Sequence, residues 1–284
     1  MSTIQDFNGY QPTWCPGCGD WGIGIAIKSA LSQLGLNPSS VFVAFGIGCS
    51  GNMNDFLNVY AMHGLHGRSI PNAIGMKLAH HKMTTVVVAG DGDCYGEGGN
   101  HFLHACRGNH DITVIIHDNR VYGLTTGQSA PTAQKGYKSK STPLGIIEES
   151  LDPLSLAISQ GATFVAQAFA GDAVHMAQTI KKGIEHKGFS LVNILQPCVT
   201  FNKINTYPYY MKHVYKLDNT HDKSNAVSAL KIAREVSQEK YPLGILYEVD
   251  KPTYHEQLIQ LEEAKSLKDR ERFTDFSTLI QYFK

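Results

Sequence analysis

The chain has 284 residues, 42% of them hydrophobic, and its 25 basic and 25 acidic side chains cancel to zero formal charge. That length allows one large domain or two small ones, and the charge balance argues against a nucleic-acid or anionic-membrane surface. No apolar run approaches the ~18 residues that a membrane span needs, and the opening MSTIQDFNGYQPTW has neither the basic nor the apolar region of a secretory signal.

In chain order, Trp21–Leu34 reads as a helix and Val41–Phe45 as a strand. Pro71–His80 is a helix with Pro near its start, and Thr84–Ala89 a strand. Gly98–Arg107 is a short helix and Asp111–Ile116 the next strand. Residues 122–150 are rich in Gly, Ser, Thr, Pro and Lys without a sustained period, and a loop that long is usually functional or disordered. Helices Asp152–Ser159 and Asp172–His186 then alternate with strands Thr163–Ala166 and Leu191–Leu195. Short apolar strands separated by helices imply an α/β fold with a doubly wound, mostly parallel sheet.

After Cys198 the character changes. Asn202–Asp218 is aromatic and basic without strand alternation. An amphipathic helix (Asn225–Glu239), a strand (Gly244–Val249) and a charged helix (Tyr254–Lys265) follow. We therefore expect a core over residues 1–200 and a C-terminal extension over 201–284 that wraps the core or its partner. Lacking a clustered basic surface, the aromatic stretch does not point to nucleic acid.

The chemistry concentrates at strand ends. Gly90-Asp91-Gly92-Asp93 follows one apolar strand and Asn119 follows the next, with Val121 two residues on. Doubly wound sheets bind ligands at those carboxyl ends. Gly90 and Gly92 let backbone amides approach phosphate oxygens. Asp91 and Asn119 offer hard oxygens to Mg²⁺, with the Val121 carbonyl a third. This arrangement resembles the thiamin diphosphate signature.

Cysteines stand at 15, 18, 49, 94, 106 and 198. Cys15 and Cys18 lie in W-C-P-G-C-G-D, whose short turn points both sulfurs one way. Cys49 and Cys198 each follow an apolar strand, so both fall on the same sheet edge as the Gly-Asp-Gly loop. Four thiolates there suit a [4Fe-4S] cluster or zinc. Cys94 and Cys106 read as small buried hydrophobes.

W-C-P-G-C-G, G-I-G-C-S, H-G-L-H-G-R, A-G-D-G-D and D-N-R-V-Y-G-L-T-x-G-Q occur in that order. The chain thereby resembles the β subunit of the two-subunit 2-oxoacid:ferredoxin oxidoreductases, especially the 2-oxoglutarate type, from about Gly9 to about Val199. The resemblance implies a fold of the thiamin diphosphate-binding type. It implies that Cys15, Cys18, Cys49 and Cys198 ligate one [4Fe-4S] cluster, and that Asp91, Asn119 and the Val121 carbonyl hold Mg²⁺. It further implies conversion of a 2-oxoacid, 2-oxoglutarate or pyruvate, with coenzyme A to acyl-CoA and CO2, the electrons passing to ferredoxin. Such thiolates need a reducing compartment, so a cytoplasmic protein is expected.

Other residues near the site are weighed individually. His66 is a candidate contact to the diphosphate or an acid–base group, with His63 behind it. Ser50 and Asn52 follow a cluster cysteine, and Asn52 is a candidate substrate contact. Thr125 has a hydroxyl to offer a phosphate oxygen, and Arg68 reads as structural. Many relatives carry Lys or Gly where this chain has Thr126, so a cationic role is not carried over. The carboxylate that thiamin enzymes set against the aminopyrimidine resembles a Glu of the other subunit in this family. An α subunit, in an (αβ)2 assembly, is therefore expected to be needed for activity. Two other readings stand beside this one: a non-redox thiamin-dependent decarboxylase subunit, and a zinc-stabilised scaffold.

Overall fold

The computed structural model describes residues 2–218, 220–261, 266–270 and 275–283. A helix α1 (Gly19–Gln33) precedes strand β1 (Val41–Phe45) and strand β2 (Tyr60–His63). Then come α2 (Ser69–Ala79), β3 (Thr84–Gly90), α3 (Gly99–Gly108), β4 (Thr113–Asp118) and a small hairpin, β5 (Val121–Tyr122) with β6 (Gln128–Ser129). The core continues through α4 (Pro153–Ser159), β7 (Phe164–Phe169), α5 (Ala173–Glu185) and β8 (Ser190–Leu195). Last come α6 (Tyr207–His213), β9 (Val214–Lys216), α7 (Ala226–Ala233) and β10 (Tyr241–Glu248).

Among the described residues eight strands form one sheet in the order β2-β1-β3-β4-β8-β7-β10-β9. All its pairings are parallel except β10 on β7. β1, β4, β7 and β8 are buried along their whole length, as strands covered on both faces must be. One face packs α1 and α5 through Ile23, Ile27, Met176 and Ile180. The other packs α2, α3, α4 and α7 through Ile70, Phe102, Leu154 and Ala229. Phe102 is fully buried edge-on to Tyr95 and Phe189. Truncating such a residue to Ala typically costs about 3–5 kcal/mol.

The chain leaves β1 toward β2 on one side and returns as β3 on the other. The switch point, where open α/β sheets bind ligands, thus lies between the carboxyl ends of β1 and β3.

Several elements differ from the expectations. β2 was not foreseen: all four of its residues are exposed at the sheet edge, so it has no apolar face to signal it. Within Asn202–Asp218 the structure forms α6 and β9. The helix expected over Asn225–Glu239 is α-helical only to Ala233, then tightens to a 3₁₀ turn ending at Glu239, which is left-handed at φ +59. The expected strand Gly244–Val249 starts earlier, at Tyr241. The charged helix expected over Tyr254–Lys265 is replaced by two short 3₁₀ turns, His255–Gln257 and Ile259–Leu261. Thr253 and Glu256 close the first on each other, and extended Leu258 ends it. Residues 262–265 of that helix lie outside the described residues.

The segment around Tyr254 packs under the sheet, its ring 4.3 Å from that of His110. Burial, with neighbouring His255, pushes the His110 pKa down to about 4. An unfolded His titrates near ~6.5, so between these values the unfolded chain binds more protons, and stability falls as pH drops through that window. Replacing His110 with Phe is expected to flatten the fall in urea midpoint between pH 7 and 5. An unchanged slope would contradict this.

Candidate active site and metal centre

The loops after β1, β3 and β4 and the turn after β2 meet at the switch point. One pocket there is lined by Gly48, Ser50, His66, Gly90, Asp91, Gly92, Asp93, Asn119, Val121 and Thr125, among others. The nine residues expected to bind the cofactor are thus brought together. A second cavity, about 200 Å³, is lined by Cys15, Cys18, Cys49 and Cys198, with Asn52 and Gln196. The two share Cys49, Asn119, Gly123 and Leu124 as a common wall. Asn52 lines the cysteine cavity and not the first pocket.

Asp91 follows β3 and caps a π-helical turn, Gly92–Glu97, of the kind often found at functional sites. Its carboxylate is buried, and Oδ2 accepts from the Arg120 N–H at 2.9 Å and from the Thr132 hydroxyl. Burial and the nearby Asp118 carboxylate hold its pKa well above the ordinary range. Asp118 Oδ1 is itself buried without a hydrogen-bond partner. Two neighbouring buried carboxylates suit a divalent cation, which reverses that penalty. Asn119 Oδ1 accepts the Val121 N–H at 3.0 Å, closing the turn that carries both expected oxygen donors.

Asp93 works differently from its neighbour. Oδ1 accepts from the Ile47 and Gly67 N–H groups, both at 2.9 Å, tying the β1 loop to the turn after β2. His66 Nδ1 lies 2.8 Å from the same oxygen, an ion-pair distance without hydrogen-bond alignment. Burial raises the Asp93 pKa. Ser50 Oγ is buried and unpartnered, a hydroxyl available to a phosphate oxygen. The Thr125 hydroxyl donates to Gln128 Oε1 at 2.7 Å. Arg68 donates to the Gly67 and Glu97 carbonyls, a structural role.

Two glycines have steric reasons. A Cβ on Gly92 would sit 2.5 Å from the Tyr122 ring, so Tyr122, which the sequence reading overlooked, explains this glycine. A Cβ on Gly51 would lie 1.9 Å from the Gly46 carbonyl oxygen.

Around the cysteines, Gly17 adopts φ +80 inside the CxxC turn. The Cys18 N–H donates to the Cys15 carbonyl at 3.0 Å, and the Gly19 N–H to the Pro197 carbonyl at 3.3 Å, joining this turn to the Cys198 loop. Trp14 Nε1 donates to the Cys49 carbonyl at 2.7 Å, and Trp21 Nε1 to that of Cys15 at 3.1 Å. Cys18 Sγ sits between Asp20 Oδ2 at 3.3 Å and the Gln196 amide, which donates to it at 3.2 Å. Asp20 also meets buried His117 at 2.6 Å. Burial, then Asp20, raises the Cys18 and Cys49 thiols, Cys49 to about 12. Only a cationic centre makes thiolates favourable in such a place. Asp20, His117 and Gln196 were overlooked. The polar letters beside Cys18, Asn119 and Cys198 were their only signal. Cys94 and Cys106 are buried in the core.

The fold and this site define a thiamin diphosphate-binding enzyme domain. The family "Thiamine pyrophosphate enzyme, C-terminal TPP binding domain" matches residues 14–194, and the family formed by the C-terminal part of the pyruvate ferredoxin oxidoreductase beta subunit matches 198–263. A 2-oxoacid:ferredoxin oxidoreductase subunit beta of Saccharolobus solfataricus is 43% identical over 258 residues, covering 87% of this chain and 85% of the relative. A 2-oxoglutarate synthase subunit KorB of Methanocaldococcus jannaschii is 35% identical, covering 89% and 94%. The solved 2-oxoglutarate:ferredoxin oxidoreductase from Magnetococcus marinus, with 2-oxoglutarate, coenzyme A and succinyl-CoA bound, superposes with TM-score 0.92 at 38% identity, covering 100% of this chain and 96% of that one. The chain belongs to the 2-oxoacid:ferredoxin oxidoreductase β-subunit family, oxidoreductases that work with a partner subunit. Among the described residues no helix is long and apolar enough to cross a membrane.

Gly51→Ala forces apart the loop that carries Cys49 and Ser50. Such overpacking typically costs about 1–3 kcal/mol. We expect a lower melting temperature and at least tenfold weaker thiamin diphosphate binding by calorimetry. Wild-type affinity would show that this loop does not contact the cofactor.

Proposed function

We propose that this β subunit supports the oxidative, coenzyme A-dependent decarboxylation of a 2-oxoacid to acyl-CoA and CO2, with ferredoxin as electron acceptor. The observation that carries this is the shared wall: Cys49 and Asn119 border both the diphosphate pocket and the cysteine cavity. When bound, thiamin diphosphate would supply a nucleophilic carbon, Mg²⁺ would neutralise the diphosphate charge, and a [4Fe-4S] cluster would supply one-electron redox chemistry.

This chain's residues provide the placement. Asp91, Asn119 and the Val121 carbonyl hold Mg²⁺. Gly90, Gly92, Ser50, Thr125 and His66 border the diphosphate, and Asp93 keeps their loops together. Cys15, Cys18, Cys49 and Cys198 hold the cluster, in a cavity that Asn52 also lines. A zinc scaffold is less well supported, because a tetrahedral ion gathers thiolates at ~2.3 Å from one centre. A cluster spreads its ligands wider, which fits the 200 Å³ cavity better. A non-redox decarboxylase has no use for the four converging cysteines.

Leu124, 52% exposed, borders both cavities, which suits a site completed by another surface. We assign that surface to the α subunit in an (αβ)2 enzyme of the cytoplasm. The unit over residues 1–200 binds the cofactors, and 201–284 forms the extension. Some relatives are named for 2-oxoacids in general and others for 2-oxoglutarate, and we take 2-oxoglutarate or a broader 2-oxoacid set as the substrate class.

Anaerobically purified protein is expected to be brown, to bleach on reduction and to contain about four irons per chain, as a Cys₄-held cubane requires. Cys49→Ser should lose most of that absorbance. Colourless protein with one zinc and no iron would overturn the assignment.

A further inference from the structure

The turn carrying Asn119 and the Val121 carbonyl is anchored from outside the diphosphate pocket. Arg120, between the two, stands at φ +66, a left-handed backbone that a non-glycine residue keeps only when its surroundings enforce it. Its backbone is tied at both ends. The N–H donates to Asp91 Oδ2 at 2.9 Å, and the carbonyl accepts the Ala130 N–H at 3.2 Å. The side chain does not line the diphosphate pocket but a separate cavity with Gln134 and Tyr241. It is 4% exposed. The guanidinium carbon lies 5.1 Å from the Tyr241 ring centre and 5.9 Å from that of Tyr210, within cation–π range.

Both tyrosines belong to the C-terminal extension, Tyr210 on α6 and Tyr241 at the start of β10. A second tie comes from the same extension. Asn202, 1% exposed, donates from Nδ2 to the Asn119 carbonyl at 3.0 Å. Its Oδ1 meanwhile accepts the Ile204 and Asn205 N–H groups at 3.0 and 2.9 Å. Asn202, Tyr210 and Tyr241 also lie outside the diphosphate pocket. They touch the turn from behind.

We propose that Asn202 and Arg120 are positioning residues, through which the C-terminal extension holds the Asn119–Val121 turn in its divalent-cation-binding form. The inference rests on the reading of Asn119 and Val121 as Mg²⁺ ligands. It makes the extension part of cofactor binding.

The test uses the enzyme assembled with its α subunit. Asn202→Asp keeps an acceptor for the Ile204 and Asn205 N–H groups but removes the donor to Asn119. Arg120→Lys keeps the charge but loses the planar face that stacks on the tyrosines. Mn²⁺ serves as the probe, its binding followed by electron paramagnetic resonance with thiamin diphosphate present. Each variant is expected to weaken Mn²⁺ binding at least tenfold and to raise the half-saturating Mg²⁺ for turnover equally. The kcat at saturating Mg²⁺ and the visible spectrum should stay at wild-type values, which a merely structural role would not allow. If either variant fails to assemble, Tyr241→Leu carries the same test, since it removes stacking without touching the turn. Mn²⁺ affinity within twofold of wild type in the variants overturns the proposal. Asn119→Ala separates the causes. If it loses Mn²⁺ while the variants keep it, the positioning role alone fails. If it also keeps Mn²⁺, the ligand assignment fails and the proposal falls with it.

Discussion

Asp93 accepts backbone N–H groups from Ile47 and Gly67, which belong to loops after two different strands. The same device recurs along the carboxyl edge of the sheet. Asp91 accepts from Arg120 N, Asp118 from the Asn193 amide, and Asp20 meets His117 and the Cys18 thiol. Burying a carboxylate is expensive unless it is paired and hydrogen-bonded, so each one constrains the loops around it strongly. Four loops that lack regular pairing thereby become a fixed rim. The rim still has unmet hydrogen-bonding capacity at Ser50 Oγ, Asp93 Oδ2 and Asp118 Oδ1.

This constraint also sets the relation between the two cavities. Asn119 and Cys49 stand at the ends of β4 and β1, with β3 between them in the sheet. Parallel strands about 4.8 Å apart deliver their carboxyl ends to one side. A cofactor site and a thiolate site on that edge are therefore neighbours by construction. Gly123 belongs to the same logic, since a Cβ there would lie 3.3 Å from Cys49 Sγ.

Much of this was legible in the sequence. The Gly-Asp-Gly after an apolar strand, the Asn after the next, and cysteines after two more strands each carry a local signal, because strand ends are readable from hydrophobicity and glycine. What was not legible depends on long-range partners. Asn202 reaches Asn119 across 83 residues, and nothing in N-K-I-N-T foretells it. Asp93 reads as a phosphate-loop residue, and nothing local foretells that it also ties the Ile47 and Gly67 loops together. Gly92 reads as room for phosphate, and the room it also makes for Tyr122 has no local signal. β2 escaped notice because an edge strand with four exposed residues has no periodicity to detect. The helix expected near the C-terminus stops after one turn, where Leu258 becomes extended, although Thr253 and Glu256 form the reciprocal pair that commonly starts a helix.

The central claim is that the two cavities form one electron path from substrate to cluster. The most direct measurement is anaerobic mixing of the assembled enzyme with 2-oxoglutarate and coenzyme A, without ferredoxin, followed by freezing and electron paramagnetic resonance. The account predicts the signal of a reduced [4Fe-4S] cluster within one turnover, absent in Asp91→Asn and restored by neither substrate alone in that variant. A cluster that stays oxidised while CO2 is released would contradict it.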